Sequence, residues 1–244
     1  MPTTRTPLRR ATRTAAAAAG LLLLAGGLAG CSDDGEAASD EQTPEEVMEL
    51  ARTTLDETSG VRIELATDDL PDGVTALRSA EGVGVHPAAF DGTITVVLGG
   101  TDFNVPVIAV DGTVYAQIPL TSGWSDVDPA EYGAPDPARL MSTEDGISSL
   151  LTDAEELVAG ESVRGGEDNR EVLTEYAGVL SGPEVQRIIP SADAESDFAA
   201  TFLVTEEGEL RQADLTGVFY PGTESMTYTL TFEGYGTEQD ITAP

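Results

Sequence analysis

Past residue 43 the apolar positions run first at helical spacing and then at a spacing of two. Val47, Leu50, Ala51 and Leu55 mark one face of a helix, because residues three and four apart lie above one another. Thr43 and Glu46 stand at capping-box spacing, in which each side chain binds the other's backbone N–H. Pro44 suits the first helical position, where its missing N–H has no partner anyway. The pattern predicts a helix from Pro44 to about Ser59-Gly60. Val61, Ile63 and Leu65 then alternate with Arg62 and Glu64, as in a strand with one buried and one wet face.

Three antiparallel strands are predicted next, over 92–98, 102–110 and 113–119. Ile94, Val96 and Leu98 share a face, and Gly99-Gly100 turns the chain. Phe103, Val105, Val107 and Ala109 return along it. Asp111-Gly112 is a two-residue hairpin signal, since both central residues of that turn take positive φ. Val114, Ala116 and Ile118 form the third row.

The middle loses this regularity. From Trp124 to about Ala159, prolines and acids separate short apolar clusters: Leu140 and Met141, Ile147, Leu150 and Leu151, Leu157 and Val158. Two or three short helices are expected, one starting at Asp136-Pro137, each needing tertiary packing to persist. Strands resume over 161–165 and 169–177 about a Gly165-Gly166 turn. Ser181 and Glu184 make a second capping-box pair ahead of Val185, Ile188 and Ile189, and Pro190 stops that helix. A last meander carries Phe198, Ala200, Phe202 and Val204, then Ala213, Leu215, Gly217 and Phe219, then Met226, Tyr228, Leu230 and Phe232.

The expected fold is therefore α+β, with eight to eleven antiparallel strands in two meanders. Each strand has one apolar face, so the sheet needs cover on one side only. Segments 44–57, 136–158 and 182–189 are the available cover. A long twisted antiparallel sheet curls. Its concave side either packs solid or leaves an apolar cavity, and periodicity does not distinguish the two.

Charge changes this picture. The chain carries 12 basic and 44 acidic residues, a net −32, and all the bases are arginine. Arg5, Arg9, Arg10 and Arg13 precede the first acid, Asp33, so 8 basic residues face 44 acids from position 31 onward, a net −36. Such a surface repels phosphate backbones and excludes nucleic acid as a partner. It also repels an anionic membrane, so residence at one needs a tether.

The leader supplies a tether. An arginine-rich start precedes an apolar run centred on Leu21–Leu24, which closes with Leu28-Ala29-Gly30-Cys31. The run is too short to span a bilayer and reads as a secretion signal over 1–30. The closing tetrapeptide resembles the lipobox of bacterial lipoproteins, which implies cleavage before Cys31 and acylation of that cysteine. Two or three acyl chains at about 0.8 kcal/mol per buried methylene anchor stably. Residues 31–43 are acidic and poor in bulky apolar groups, and are expected to be a flexible tether to a domain over 44–240. The expected location is the extracytoplasmic face of the cell membrane.

Catalytic chemistry is hard to assemble from these residues. One Cys and one His do not make a metal site or a dyad, and His86, in Val85-His86-Pro87, is expected to be a solvated or hydrogen-bonded loop imidazole. Acid pairs such as Asp68-Asp69, Glu155-Glu156 and Glu206-Glu207 read as solvated faces, and no lipase elbow is present. No enzyme activity, metal or cofactor is expected.

The ordered set Leu98-Gly99-Gly100, Asp111-Gly112 with Val114-Tyr115-Ala116, Trp124-Ser125-Asp126, Asp136-Pro137 with Leu140, Asp145-Gly146 and Leu150-Leu151 resembles the LppX/LprG family of mycobacterial and related actinobacterial lipoproteins. The resemblance spans about 45–240. It implies a strongly curved sheet, a half-barrel, with short helices on its concave side enclosing a hydrophobic cavity for acyl chains. It further implies an acylated lipid as cargo (glycolipid or triacylglycerol) and, for some members, an exporter of the major facilitator type. The candidate lining residues on the sheet are Ile94, Val96, Val105, Val107, Val114, Ala116, Ile118, Phe202, Leu215 and Phe219. Leu140, Ile147, Leu150 and Leu151 are the candidates on the helical side, and each of these could equally be solid core. The acidity and the missing lysines depart from the family and favour neutral cargo over anionic headgroups. A tethered adaptor of an exporter or wall enzyme, without cargo, fits the same alternation.

Overall fold

The computed structural model describes residues 42–132, 134–166 and 169–244. The leader, Cys31 and nearly all of the acidic tether lie outside the described residues. The chain runs α1 (Pro44–Glu57), β1 (Gly60–Ala66), β2 (Ala76–Val85), β3 (Ala89–Leu98), β4 (Thr101–Val110), β5 (Thr113–Ala116) and β6 (Ser125–Val127). After short 3-10 turns at 129–132 and 139–141 come α2 (Ser149–Asp153), β7 (Glu155–Gly165), β8 (Glu171–Leu180), α3 (Gly182–Ile188), β9 (Phe198–Thr205), β10 (Leu210–Gly217) and β11 (Met226–Glu233).

All eleven strands join one antiparallel sheet in the order β6-β5-β4-β3-β2-β1-β11-β10-β9-β8-β7. Each meander is built from chain neighbours, and a single long-range pairing joins them, with Ile63 opposite Phe232 and Leu65 opposite Leu230. The sheet remains open, a half-barrel whose edges are β6 and β7. The predicted capping boxes form: Thr43 accepts from the Glu46 N–H while Glu46 accepts from the Thr43 N–H at 2.8 Å, and Ser181 and Glu184 make the same pair. Asp111 and Gly112 take φ of 54° and 75°, as their hairpin turn requires.

The core lies on one face. Val47, Met48, Ala51 and Leu55 of α1 pack with Leu150 and Leu151 of α2 and Val185 and Ile188 of α3. Beneath them are Val61, Ile63, Phe198, Phe202, Leu215, Tyr228, Leu230 and Phe232 from β1 and β8–β11. The opposite face is wet: Thr227, Thr229 and Thr231 are the solvent-side row of β11, and the Thr216 and Thr227 hydroxyls meet at 2.8 Å. The His86 Nε2–H donates to the Leu55 carbonyl at 3.2 Å, the hydrogen-bonded loop role expected of it. Asp68-Asp69, Glu155-Glu156 and Glu206-Glu207 are all exposed.

Several elements differ from expectation. The sequence pattern gave no sign of β2, because its inward positions are Ala80, Gly82 and Gly84. A Cβ on Gly82 would lie 2.5 Å from the tip of the Phe90 ring, and one on Gly84 2.6 Å from Met141 Cγ. Small residues are therefore required where a strand signal needs large ones. The short edge strand β6 was also unforeseen. The two or three short helices expected in the middle segment form as the 3-10 turns and α2, but Leu157 and Val158, expected there too, belong to β7. That strand is exposed almost throughout and so shows no alternation. The strand expected over 113–119 ends at Ala116, leaving Ile118 outside it and exposed. At the end of β3 burial departs from the alternation, with the outward Val97 buried and the inward Leu98 at the turn 56% exposed. Phe219, expected in a strand, lies past the end of β10 but is fully buried.

Gly92 gives a direct test of this packing. A Cβ there would sit 2.2 Å from the Glu81 carbonyl and 2.7 Å from Phe90 Cζ, and the backbone partner has no room to yield. Gly92→Ala is expected to lower stability by about 2 kcal/mol, measured by chemical unfolding, whereas Gly222→Ala meets no neighbour and is opposed only by the strain of its positive φ, about 1 kcal/mol.

Candidate functional site

The inward face of the first meander has much less cover than that of the second. Its buried cluster contains Phe90, Val107, Ala109, Val114 and Ala116 from the sheet, and only Ala138 from outside it. Toward the end of the sheet where β2 and β4 begin, even this cover stops. Ile94 pairs with Val105, Val96 with Phe103, and Leu77 and Ala80 of β2 stand opposite Val96 and Ile94. All six share the inward face and all are half-buried. They form a broad apolar patch, open to water on the concave side.

The residues expected to line a pocket therefore separate into groups. Ile147, Leu150, Leu151, Phe202, Leu215 and Phe219 lie in the main core. Val107, Val114 and Ala116 belong to the smaller cluster, and Ile94 and Val105 pack at its margin. Val96 continues their row, Ile118 is at the surface, and Leu140 is half-buried beside the core. Phe103, Leu77 and Ala80 were not expected at the site. The period of Phe103, shared with Val105, could have indicated it; the two β2 residues carry no such signal. Between the helices and the second meander the interior is filled by side chains. Of the two described clefts, the one between Leu140, Arg139 and Ile188 holds about 50 Å³, against roughly 300–1,000 Å³ for a typical ligand pocket. Among the described residues, the apolar space that the resemblance implies is represented by this uncovered inward face.

A strap over 134–148 bounds this face. Met141 is its knob, seated on Gly84 and buried, and Ala138 touches the smaller cluster. Arginines hold the strap and α2 in place. Arg139 pairs with Asp145, which also accepts from the Ser142 hydroxyl at 2.6 Å. Arg52 of α1 donates to Thr152 at 2.9 Å and to the Thr143 carbonyl, and Arg187 of α3 donates to Ser149 and to Asp153 at 2.6 Å. The Ser142 hydrogen bond and Arg139 hold the Asp145 carboxyl below its ordinary value.

On the other side a closed ring of hydrogen bonds fixes the edge of the patch. β1 pairs with β2 only as far as Ala66–Ser79, so Leu77 projects past it with its backbone groups facing no strand. Tyr228 donates to the Leu77 carbonyl at 2.5 Å, the Leu77 N–H donates to Tyr220 at 3.3 Å, and the hydroxyls of Tyr220 and Tyr228 meet at 2.7 Å. Tyr228 has given its proton to the carbonyl, so Tyr220 must donate to Tyr228. Burial first, and Tyr220 second, keep Tyr228 protonated far above neutrality. Two tyrosines thus replace the missing strand at the bulge between Leu77 and Ser79.

The fold is shared with known proteins. The model of the LppX_LprAFG lipoprotein family matches residues 43–243. The chain belongs to that family. The lipoarabinomannan carrier protein LprG of Mycobacterium tuberculosis is 29% identical over 133 residues, 53% of this chain and 54% of that one. The chain thus aligns with about half the length of the curated relatives it matches, and the Mycobacterium leprae protein of the same description is 27% identical over a similar share. Among solved structures, LprF from Mycobacterium bovis superposes with a TM-score of 0.63 at 11% identity, covering 82% of this chain and 96% of that one. LppX from Mycobacterium tuberculosis gives 0.59 at 14% identity, covering 82% and 98%. At such identities the likeness is one of fold, and it supports the half-barrel of the LppX_LprAFG family.

Two measurements probe the borders of the face. Tyr228→Phe removes the donor to Leu77 and is expected to cost about 1–2 kcal/mol in thermal or chemical unfolding, with Tyr220→Phe smaller because the carbonyl keeps its partner. Asp145 has a depressed folded pKa, so its contribution is complete above its ordinary value of 3.8 and is lost as pH falls through the lower folded value. Asp145→Asn should therefore be slightly less stable than the parent at neutral pH, and the two should converge in acid. Partial exposure of the pair keeps the difference small.

Proposed function

We propose that this lipoprotein carries an acylated lipid on the open part of its concave face, anchored to the extracytoplasmic side of the membrane through Cys31. The observation that carries the proposal is the uncovered apolar patch of Leu77, Ala80, Ile94, Val96, Phe103 and Val105 in a chain of the LppX_LprAFG family. An acyl chain leaving a bilayer must stay out of water at about 0.8 kcal/mol per methylene, and a face of branched aliphatic and aromatic side chains meets that need. The carrier role of LprG, stated in its description, supports this reading. Its lipoarabinomannan cargo does not transfer directly. Exposed Asp68, Asp69 and Asp72 flank the open end, and a net charge of −36 from position 31 onward disfavours anionic headgroups, so a neutral acylglycerol is the better match. An exporter of the major facilitator type is the natural donor for such a carrier. No covalent chemistry is assigned to the protein.

A second reading, a tethered adaptor without cargo, is favoured by the filled interior and by the small volume of the described clefts. One experiment separates them. Protein purified from an actinobacterial host is analysed by native mass spectrometry and its lipids are extracted. The carrier reading expects bound lipid, and Ile94→Trp, which fills the centre of the patch, is expected to lower occupancy about tenfold or more. Thr95→Ala, on the opposite face of the same strand, should leave occupancy unchanged. Absence of lipid, with transfer between vesicles indifferent to Ile94→Trp, would leave the adaptor.

A further inference from the structure

We propose that the turns at the open end of the first meander form a docking rim that inserts aliphatic side chains into a lipid surface of low charge. The inward row of β3 reads Ile94, Val96, Leu98 and grows more exposed along its length: the first two are half-buried and Leu98, at the turn into β4, is 56% exposed. The apolar surface of the concave face therefore continues without a polar break to the tip of the hairpin. The connection from β5 to β6 reaches the same end of the sheet, because the Gln117 N–H binds the Pro106 carbonyl at 3.0 Å and the chain then turns at Ile118–Thr121. Within that connection Ile118 is 36% exposed and Leu120 is wholly exposed, at 105%.

Leu120 also has a φ of 70°. A bulky side chain in the left-handed region is uncommon and is held there against local preference. Here the strain presents a leucine to solvent with nothing in the protein to pack against. Isolated exposed apolar side chains need no explanation, but apolar side chains on two connections at one end of the sheet, beside an open apolar face, mark an interaction surface. Neither described cleft reaches these tips, so the rim offers projecting aliphatic groups and no groove to receive a folded partner. A fluid apolar phase suits that shape.

Charge selects the kind of surface. Asp68, Asp69 and Asp72 lie exposed in the connection from β1 to β2 at this end, and Asp102 beside the hairpin tip is paired with Arg78 at 3.2 Å. Exposed acids would be repelled by an anionic bilayer, so the rim is matched to a zwitterionic or neutral one. Docked in this way, the open end of the patch would face the acyl chains directly.

The native chain contains its own probe. Trp124, the sole tryptophan, is partly exposed in the same connection, four residues past Leu120. The full-length chain carrying Cys31→Ala, which removes any thiol acylation, is mixed with phosphatidylcholine vesicles whose tails are brominated. Docking is expected to quench Trp124 emission, and unbrominated vesicles should not quench it. The leader has no tryptophan, so its own binding does not report. Leu98→Ser with Leu120→Ser should lower the partition coefficient derived from quenching about tenfold or more without moving the thermal midpoint, since both side chains already face water. Val158→Ser, at an exposed site on the far edge strand β7, should change nothing. The inference is overturned by absent quenching, by quenching that survives the double substitution or falls equally with Val158→Ser, or by quenching that requires phosphatidylglycerol in the vesicles. Co-purified lipid without quenching would overturn docking alone, and quenching without co-purified lipid would overturn the carrier reading alone.

Discussion

A wide one-faced sheet has more apolar surface than this chain has helix to cover it, and that imbalance organises the molecule. Most of the eleven strands present one apolar row, and exposed apolar area costs roughly 25 cal/mol per Å². Against this stand α1 with 14 residues, α2 with 5 and α3 with 7. The helices concentrate over β1 and β8–β11, where Phe198, Phe202, Leu215 and Phe232 fill the concavity. Over the first meander, cover falls to the strap and its Ala138 and Met141. The end of that meander stays bare, and the candidate site is what remains uncovered.

Small residues and polar clamps keep this unequal arrangement rigid. Gly82, Gly84 and Gly92 give up side chains so that Phe90 and Met141 can lie against the backbone. Arg52 and Arg187 tie the strap and α2 to α1 and α3, and Arg139 braces the strap on its own Asp145. Tyr220 and Tyr228 satisfy the Leu77 peptide where β1 has already ended. In a chain with so few cations, three of the arginines lie in the strap and the helices it meets, and the rest of the surface is left strongly acidic.

Much of this was legible in advance. Alternation at Val61-Ile63-Leu65, the hairpin at Asp111-Gly112, both capping boxes and the last meander all follow from local period and turn chemistry, which act over a few residues. The elements missed were those whose residues obey a distant partner. β2 is glycine-rich because a phenylalanine and a methionine from other segments occupy its inward side. β7 lacks a period because it is an exposed edge. At the site, Ile94, Val96 and Val105 could be named as inward, but inward did not mean enclosed: Phe202 and Leu215, named on the same grounds, are solid core.

The amino-acid sequence by itself determined the strand-rich class, the one-sided burial and the acidity of the surface. These depend on residue type and on neighbours a few positions away. Only the tertiary structure decided that β1 pairs with β11 to fuse two meanders, that the helices crowd over the second, and that the row Ile94–Val96–Leu98 runs uncovered to the rim. Those outcomes depend on which surfaces, separated by up to about 170 residues, compete for the same limited cover, and periodicity carries no record of that competition.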